Sequence, residues 1–157
     1  MSTQKDRSSP KKNALRSLTW EIPSLSSVDA LDVNTLVLLI SSDARPLAGM
    51  AGFVDWRLCG RVSQEILAEN FSGDVGERLL MPTWERIPAE RLLLFGFGAT
   101  ATLEKNTGEV LSSLGATLEK LAVKRVALAL PNGGKNWVLR FEEWAQERTY
   151  IKACSRQ

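Results

Sequence analysis

A chain of 157 residues fits one domain, and its 44% hydrophobic and 24% charged residues are those of a folded globular protein. It has no histidine, which excludes Ser-His-Asp and Cys-His catalysis and imidazole-ligated metal. The net charge is only +2 and there are two cysteines, Cys59 and Cys154, too few for a disulfide framework or a thiolate zinc site.

Residues 1–16 carry five basic side chains against Asp6 alone, leaving a body with 15 basic and 17 acidic residues. This tail has Pro10, many polar residues and no periodic apolar pattern, so it reads as a disordered basic leader. Nucleic acid is expected to touch the chain only there, because the body is not basic. The tail has no apolar stretch after its charges, so no signal peptide is read and a cytoplasmic protein is expected. No apolar run is long enough to span a bilayer, so no membrane partner is expected. Residues 17–157 are expected to form the folded domain.

Within it, residues 18–22 read as a short strand stopped by Pro23. Residues 36–40, all apolar, read as a strand covered on both faces. Two glycines then precede a helix whose stripe is Val54, Leu58, Val62 and Ile66, with Arg61 and Glu65 spaced to pair outside it. Residues 79–81 form a short strand ended by Pro82, expected antiparallel to the apolar strand 91–97. A second helix over about residues 107–122 carries Leu111, Leu114, Leu118 and Leu121. Strand 125–130 ends at Pro131-Asn132-Gly133-Gly134, and a third helix over about 136–148 follows. The last residues either add a short strand or fray. Apolar strands alternating with amphipathic helices predict an α/β fold, a mixed and largely parallel sheet flanked by helices on both faces.

Several segments carry a resemblance to a known family. Leu47-Ala48-Gly49, Gly52-Phe53-Val54-Asp55 and Leu79-Leu80-Met81-Pro82-Thr83 are the first. The run from Pro88 to Gly98 and the run from Lys124 to Pro131 complete the pattern. Together they resemble the amino-terminal domain of leucyl aminopeptidases over about residues 33–148. The resemblance implies a macro-domain-like three-layer α/β/α fold. It also implies that the two-metal peptidase site belongs to a larger carboxy-terminal domain, whose signature Asn-Thr-Asp-Ala-Glu-Gly-Arg-Leu does not occur in this sequence. No catalytic residue, metal ligand or cofactor is therefore carried over.

Two loops are candidates for a ligand. Gly52 and Asp55 lie at the start of the first helix, where macro domains hold a nucleotide; the plain alternative is a strand-to-helix turn with Asp55 complementing the helix dipole. Asn132, Gly133, Gly134 and Lys135 lie between a buried strand and a helix, where open α/β sheets bind ligands. The alternative there is a turn whose glycines supply positive φ, with Asn136 as the helix N-cap. Trp137, Phe141 and Trp144 share one helical face, which is either core or a partner-binding surface.

Three functions follow as expectations. The leading one is a non-catalytic domain acting in protein interaction or regulation, through a protein partner or self-association. The second is a macro-like module for a nucleotide or ADP-ribose derivative. The third, a metalloaminopeptidase in its own right, requires carboxylates gathered around two ions, and the acidic residues here are scattered.

Overall fold

A computed structural model describes residues 18–156, with the side chain of Arg156 left out. The expected basic leader lies outside the described residues. The strands are β1 (Thr19–Glu21), β2 (Thr35–Ser41), β3 (Arg78–Pro82), β4 (Arg91–Gly98), β5 (Val126–Leu130) and β6 (Ile151–Arg156). The helices are α1 (Leu25–Asp29), α2 (Gly49–Arg57), α3 (Arg61–Leu67), α4 (Leu103–Lys120) and α5 (Lys135–Gln146).

The strands form one sheet in the order β1-β6-β5-β2-β4-β3. All neighbours are parallel except β3 and β4, which pair antiparallel as expected from the sequence. The apolar runs become central strands because period-two alternation sends side chains to two cores. Val37 and Leu39 of β2, Leu93, Phe95 and Phe97 of β4, and Leu128 of β5 face α4 and α5. Leu36, Leu38 and Ile40 of β2, with Leu92 and Leu94 of β4, face α1, α2 and α3. On β5 that second face carries only Ala127 and Ala129. The sheet therefore has helices on both faces.

The structure corrects the sequence reading in four places. The first helix is two helices, because Cys59 and Gly60 adopt left-handed φ of 55° and 79° and end α2 before α3 starts. The apolar stripe survives the break: Val54, Leu58 and Val62 are all buried. Arg61 does not form the expected pair with Glu65; its guanidinium lies over the Trp84 ring and Glu65 accepts from the Asn70 amide. The second helix starts earlier, at Leu103, after a 3-10 turn over Thr100–Thr102.

The fourth correction concerns the third helix. Trp137 and Phe141 are 1% and 0% exposed and stack with each other at 6.1 Å, so they are core, not a partner face. Their stripe points at the sheet because α5 must cover β5 and β6 on the α4 side. Trp144 is partly buried against the same core, with Arg148 over its ring at 4.3 Å. Truncating Phe141 to Ala would cost roughly 3–5 kcal/mol as a cavity.

Candidate functional site

Five parallel strands place their carboxyl ends along one edge of the sheet. The loops after β2, β4 and β5 meet there, and the antiparallel β3 brings residues 72–77 to the same edge. Gly73 shows how tight the meeting is: a Cβ at this position, with φ +93°, would fall 2.4 Å from the Ser41 carbonyl oxygen. Gly96 in β4 is tighter still, 2.1 Å from the Asp74 carbonyl oxygen. Only glycine permits these approaches.

In open α/β folds this edge offers free backbone N–H groups to a ligand. Here three carboxylates of the chain itself take those donors. Asp43, two residues beyond β2, accepts from the Thr100 backbone N–H at 3.1 Å and from its hydroxyl at 2.8 Å. Those bonds, the backbone one first, hold the Asp43 carboxyl below its ordinary range. Glu77 Oε2 accepts from the successive N–H groups of Ser72, Gly73 and Asp74 at 2.9, 2.8 and 3.2 Å. The Ser72 hydroxyl adds a fourth bond at 2.6 Å. Burial pushes the Glu77 carboxyl up, but these bonds outweigh it and the net shift is downward. Successive N–H groups converging on one point form an anion nest, and Glu77 fills it. Glu104 supplies the third carboxylate. Its Oε1 reaches the Trp137 N–H in the first turn of α5, at a long 3.5 Å.

Of the residues singled out from the sequence, Gly133 and Gly134 are at this edge, but for a different reason than expected. Neither has positive φ among the described residues, and Gly134 has φ −66°. Their side of the loop is filled instead. A Cβ on Gly133 would meet the Trp137 ring at 2.1 Å, and one on Gly134 would meet Glu104 Oε1 at 2.1 Å. Gly134, not Asn136, is the N-cap of α5, with no side-chain cap bond. Asn132 and Lys135 are exposed.

Gly52 and Asp55 lie within α2. Gly52 is inside α2, where its missing side chain lets the helix approach the Leu47 carbonyl, 2.9 Å from where a Cβ would be. The Asp55 carboxylate accepts from the Ser63 N–H and hydroxyl, so it caps the first turn of α3. Both line a cleft of about 610 Å³ with Trp56, Arg57, Cys59, Gly60 and Arg86. Residues 131–136 line neither that cleft nor three others on the described surface. The two loops therefore do not share any of those clefts.

A second surface emerges at that α2–α3 corner. A neighbouring cleft of about 650 Å³ is lined by Asp29 and residues 82–90. Arg86 lines both, so the clefts adjoin. Trp56 and Trp84 are 64% and 48% exposed there, with Arg57 and Arg61 each 5.3 Å from a ring centroid. Trp84 and Glu85 both have left-handed φ, 51° and 57°, a conformation that side chains rarely adopt.

Among the described residues, no three His, Cys, Asp or Glu side chains come together to hold a metal ion. No described helix is long and apolar enough to cross a membrane. Cys154 is buried in β6, and burial, aided by Glu142, pushes its thiol up to about 12.

Comparison with known proteins decides the relationship. The profile of the cytosol aminopeptidase family, N-terminal domain, matches residues 37–144. This chain belongs to that family. A probable cytosol aminopeptidase of Pseudomonas syringae is 37% identical over 93 residues, 56% of this chain and 18% of the relative. The chain thus spans about a fifth of the length of the curated relatives it matches. In fold, this cytosol aminopeptidase N-terminal domain is similar to the macrodomain of Thermus aquaticus DarG, with TM-score 0.63, 16% identity, and coverage of 90% of this chain and 98% of that one. It is also similar to a tomato leucine aminopeptidase variant, with TM-score 0.54, 15% identity, and coverage of 94% of this chain but 34% of that one. The matched part is the N-terminal domain, and its fold is macrodomain-like.

The carboxylates Asp43, Glu77 and Glu104 were not read from the sequence. They are scattered along the chain and become neighbours of one edge only through the parallel topology. The Trp84 surface had one signal, an aromatic beside a strand-ending proline, but no spacing that paired it with Trp56.

Proposed function

We propose that this family N-terminal domain is non-catalytic and acts in the cytoplasm through protein interaction or regulation. One observation carries the reading. Asp43, Glu77 and Glu104 occupy backbone donors of the sheet edge where an anionic ligand would otherwise sit. A phosphate there would have to displace carboxylates and lie among their charges. The chain's exposed Trp and Arg side chains, in contrast, are the residue types enriched where proteins bind one another. The described residues also offer no clustered carboxylates for two-metal hydrolysis.

The test combines the mass in solution with capture of partners from lysate. A complex or an oligomer is expected, and a strict monomer that captures nothing overturns the reading. An aminopeptidase assay with added manganese or zinc should give no turnover; hydrolysis abolished by chelation would restore the peptidase reading.

The macrodomain-like fold favours a second reading, a nucleotide or ADP-ribose derivative as ligand. Saturating ADP-ribose is expected to leave the melting temperature unchanged. A rise beyond about 2 °C, which for a domain of this size reports on the order of 0.5–1 kcal/mol, would favour it.

A further inference from the structure

Every asparagine among the described residues except Asn132 is restrained by the fold. The Asn34 amide donates to Glu90 at 2.9 Å, and the N–H that follows it, on Thr35, donates to the Arg125 carbonyl. The Asn70 amide donates to Glu65 at 2.8 Å, and Phe71 after it is buried. Asn106 and Asn136 lie inside α4 and α5, each followed by a bulky residue, Thr107 or Trp137. Asn132 has none of these restraints. Loop 131–134 has no regular structure, and Asn132 and Gly133 are both exposed. Neither the Asn132 amide nor the Gly133 N–H makes a hydrogen bond among the described residues.

Packing dictates which residue follows Asn132. A Cβ on Gly133 would fall 2.1 Å from the ring of Trp137, a core side chain that cannot move aside. Seating α5 on the sheet therefore leaves an Asn-Gly pair on the surface. That pair is chemically labile. The amide carbon of an asparagine and the next backbone nitrogen can close a five-membered ring, and a glycine nitrogen has no Cβ to shield it.

We propose that Asn132-Gly133 is a self-modification site, where the native protein converts Asn132 to aspartate and isoaspartate. Hydroxide takes the proton of the Gly133 N–H, and that nitrogen bonds to Cγ of Asn132. The bond from Cγ to the amide nitrogen breaks, and the nitrogen leaves as ammonia with a proton from water. Water then opens the cyclic imide. Attack at Cγ gives aspartate, and attack at the main-chain carbonyl gives isoaspartate, whose chain runs through the side-chain carbons. The balance is water consumed and ammonia released, with no oxidant or reductant. Each event takes the formal net charge from +2 to +1. The new carboxylate stands in the loop that Glu104 abuts at Gly134, so the charge of the sheet edge depends on the age of the molecule.

The test incubates the full chain at physiological temperature and mildly alkaline pH. Samples are followed by ion exchange and by peptide mapping that separates asparagine, aspartate and isoaspartate. A more acidic form should accumulate, carry its change at Asn132 with isoaspartate present, and appear faster as pH rises, because closure begins with loss of the N–H proton. Asn132→Gln should remove it, since closure then needs a larger ring. The side chain is exposed and bonded to nothing described, so this variant should melt like wild type. A synthetic peptide with the sequence of residues 128–136 supplies the unrestrained rate. The native chain should convert within about tenfold of it, because holding the backbone of even one residue away from the closing geometry costs about that factor. A rate so near the peptide's cannot come from the unfolded fraction, which is about one part in a thousand or less. A native chain slower than the peptide by more than about tenfold overturns the proposal, because the loop is then held shut. An acidic form that maps to another asparagine, or persists in Asn132→Gln, overturns it as well.

Discussion

The carboxyl edge of the sheet and the α2–α3 corner resolve the same problem in opposite ways. At the edge, loops crowd together and every exposed donor described above meets an acceptor from the chain: Thr100 with Asp43, residues 72–74 with Glu77, Trp137 with Glu104. At the corner, the Arg86 side chain has only a thiol partner among the described residues, and two tryptophans stand in solvent. The edge is where open α/β sheets invite a ligand, yet the donors just named are bonded within the chain. Groups left unsatisfied on a rigid surface are those that a partner can use. Fold and site thus part company: the likeness to macrodomains fixes the layers, while the side chains decide which surface is open.

The closeness of the edge can be broken most severely at Gly96. Gly96→Ala drives a Cβ into backbone atoms of Gly73 and Asp74, which cannot rotate away as a side-chain tip would. A loss of about 3 kcal/mol or more is expected in urea unfolding, the upper range for overpacking. A loss below about 1 kcal/mol would mean that loop 72–77 does not pack against β4 as described.

Glu77 comes next. Glu77→Ala removes the acceptor of four bonds on a half-buried loop, and about 2 kcal/mol should be lost at neutral pH. The sign with pH follows from the lowered carboxyl. A folded-state pKa below the unfolded one stabilises the fold above the ordinary glutamate range, and that contribution is lost as pH falls through it toward the folded value. The gap between wild type and Glu77→Ala should therefore close on acidification below about pH 4.5. A gap that stays constant to pH 3 would show that the carboxylate charge is not what holds the nest.

These residues also mark the limit of what the sequence discloses. Strands β2, β4 and β5 are legible because each is a short apolar run, and both of its faces are indeed buried. The amphipathic stripe of α4 is equally legible, since Leu111, Leu114 and Leu118 recur at helical spacing and all face the sheet. The break between α2 and α3 is not, because the stripe at spacing four runs straight through Cys59 and Gly60; Gly60 alone hints at it. Trp137 and Phe141 share a face, but periodicity does not say whether that face meets the sheet or a partner. Glu77 is the hardest case. Its role depends on loop 72–77 curling back on its own carboxylate, and an acidic residue before a strand carries no signal of that.

Glu104 tests the edge more gently. It is exposed, and its single long bond to the Trp137 N–H implies a loss of only about 0.5–1 kcal/mol for Glu104→Ala. The substitution would uncover the N-terminus of α5. Sulfate should then raise the melting temperature of Glu104→Ala more than that of wild type, because an external anion replaces the carboxylate at the helix end. Identical sulfate responses would mean that Glu104 does not block those donors.

The smallest effect belongs to the corner, and its direction is the informative part. Glu85 is exposed, has φ 57° and makes no ion pair among those described. Glycine adopts this conformation without a Cβ penalty of about 1–2 kcal/mol, but gains unfolded-chain entropy worth about 0.4–1 kcal/mol. Glu85→Gly should therefore stabilise the fold by about 0.5 kcal/mol, read as a higher urea midpoint with unchanged slope. If the left-handed turn serves to present Trp84, the same substitution should loosen the Trp84–Arg61 contact, read as a change in tryptophan fluorescence, because a glycine turn samples more conformations. Greater stability with a changed tryptophan signal would show strain retained to hold Trp84 in place. A destabilised Glu85→Gly would place the cause elsewhere, in contacts of the glutamate itself.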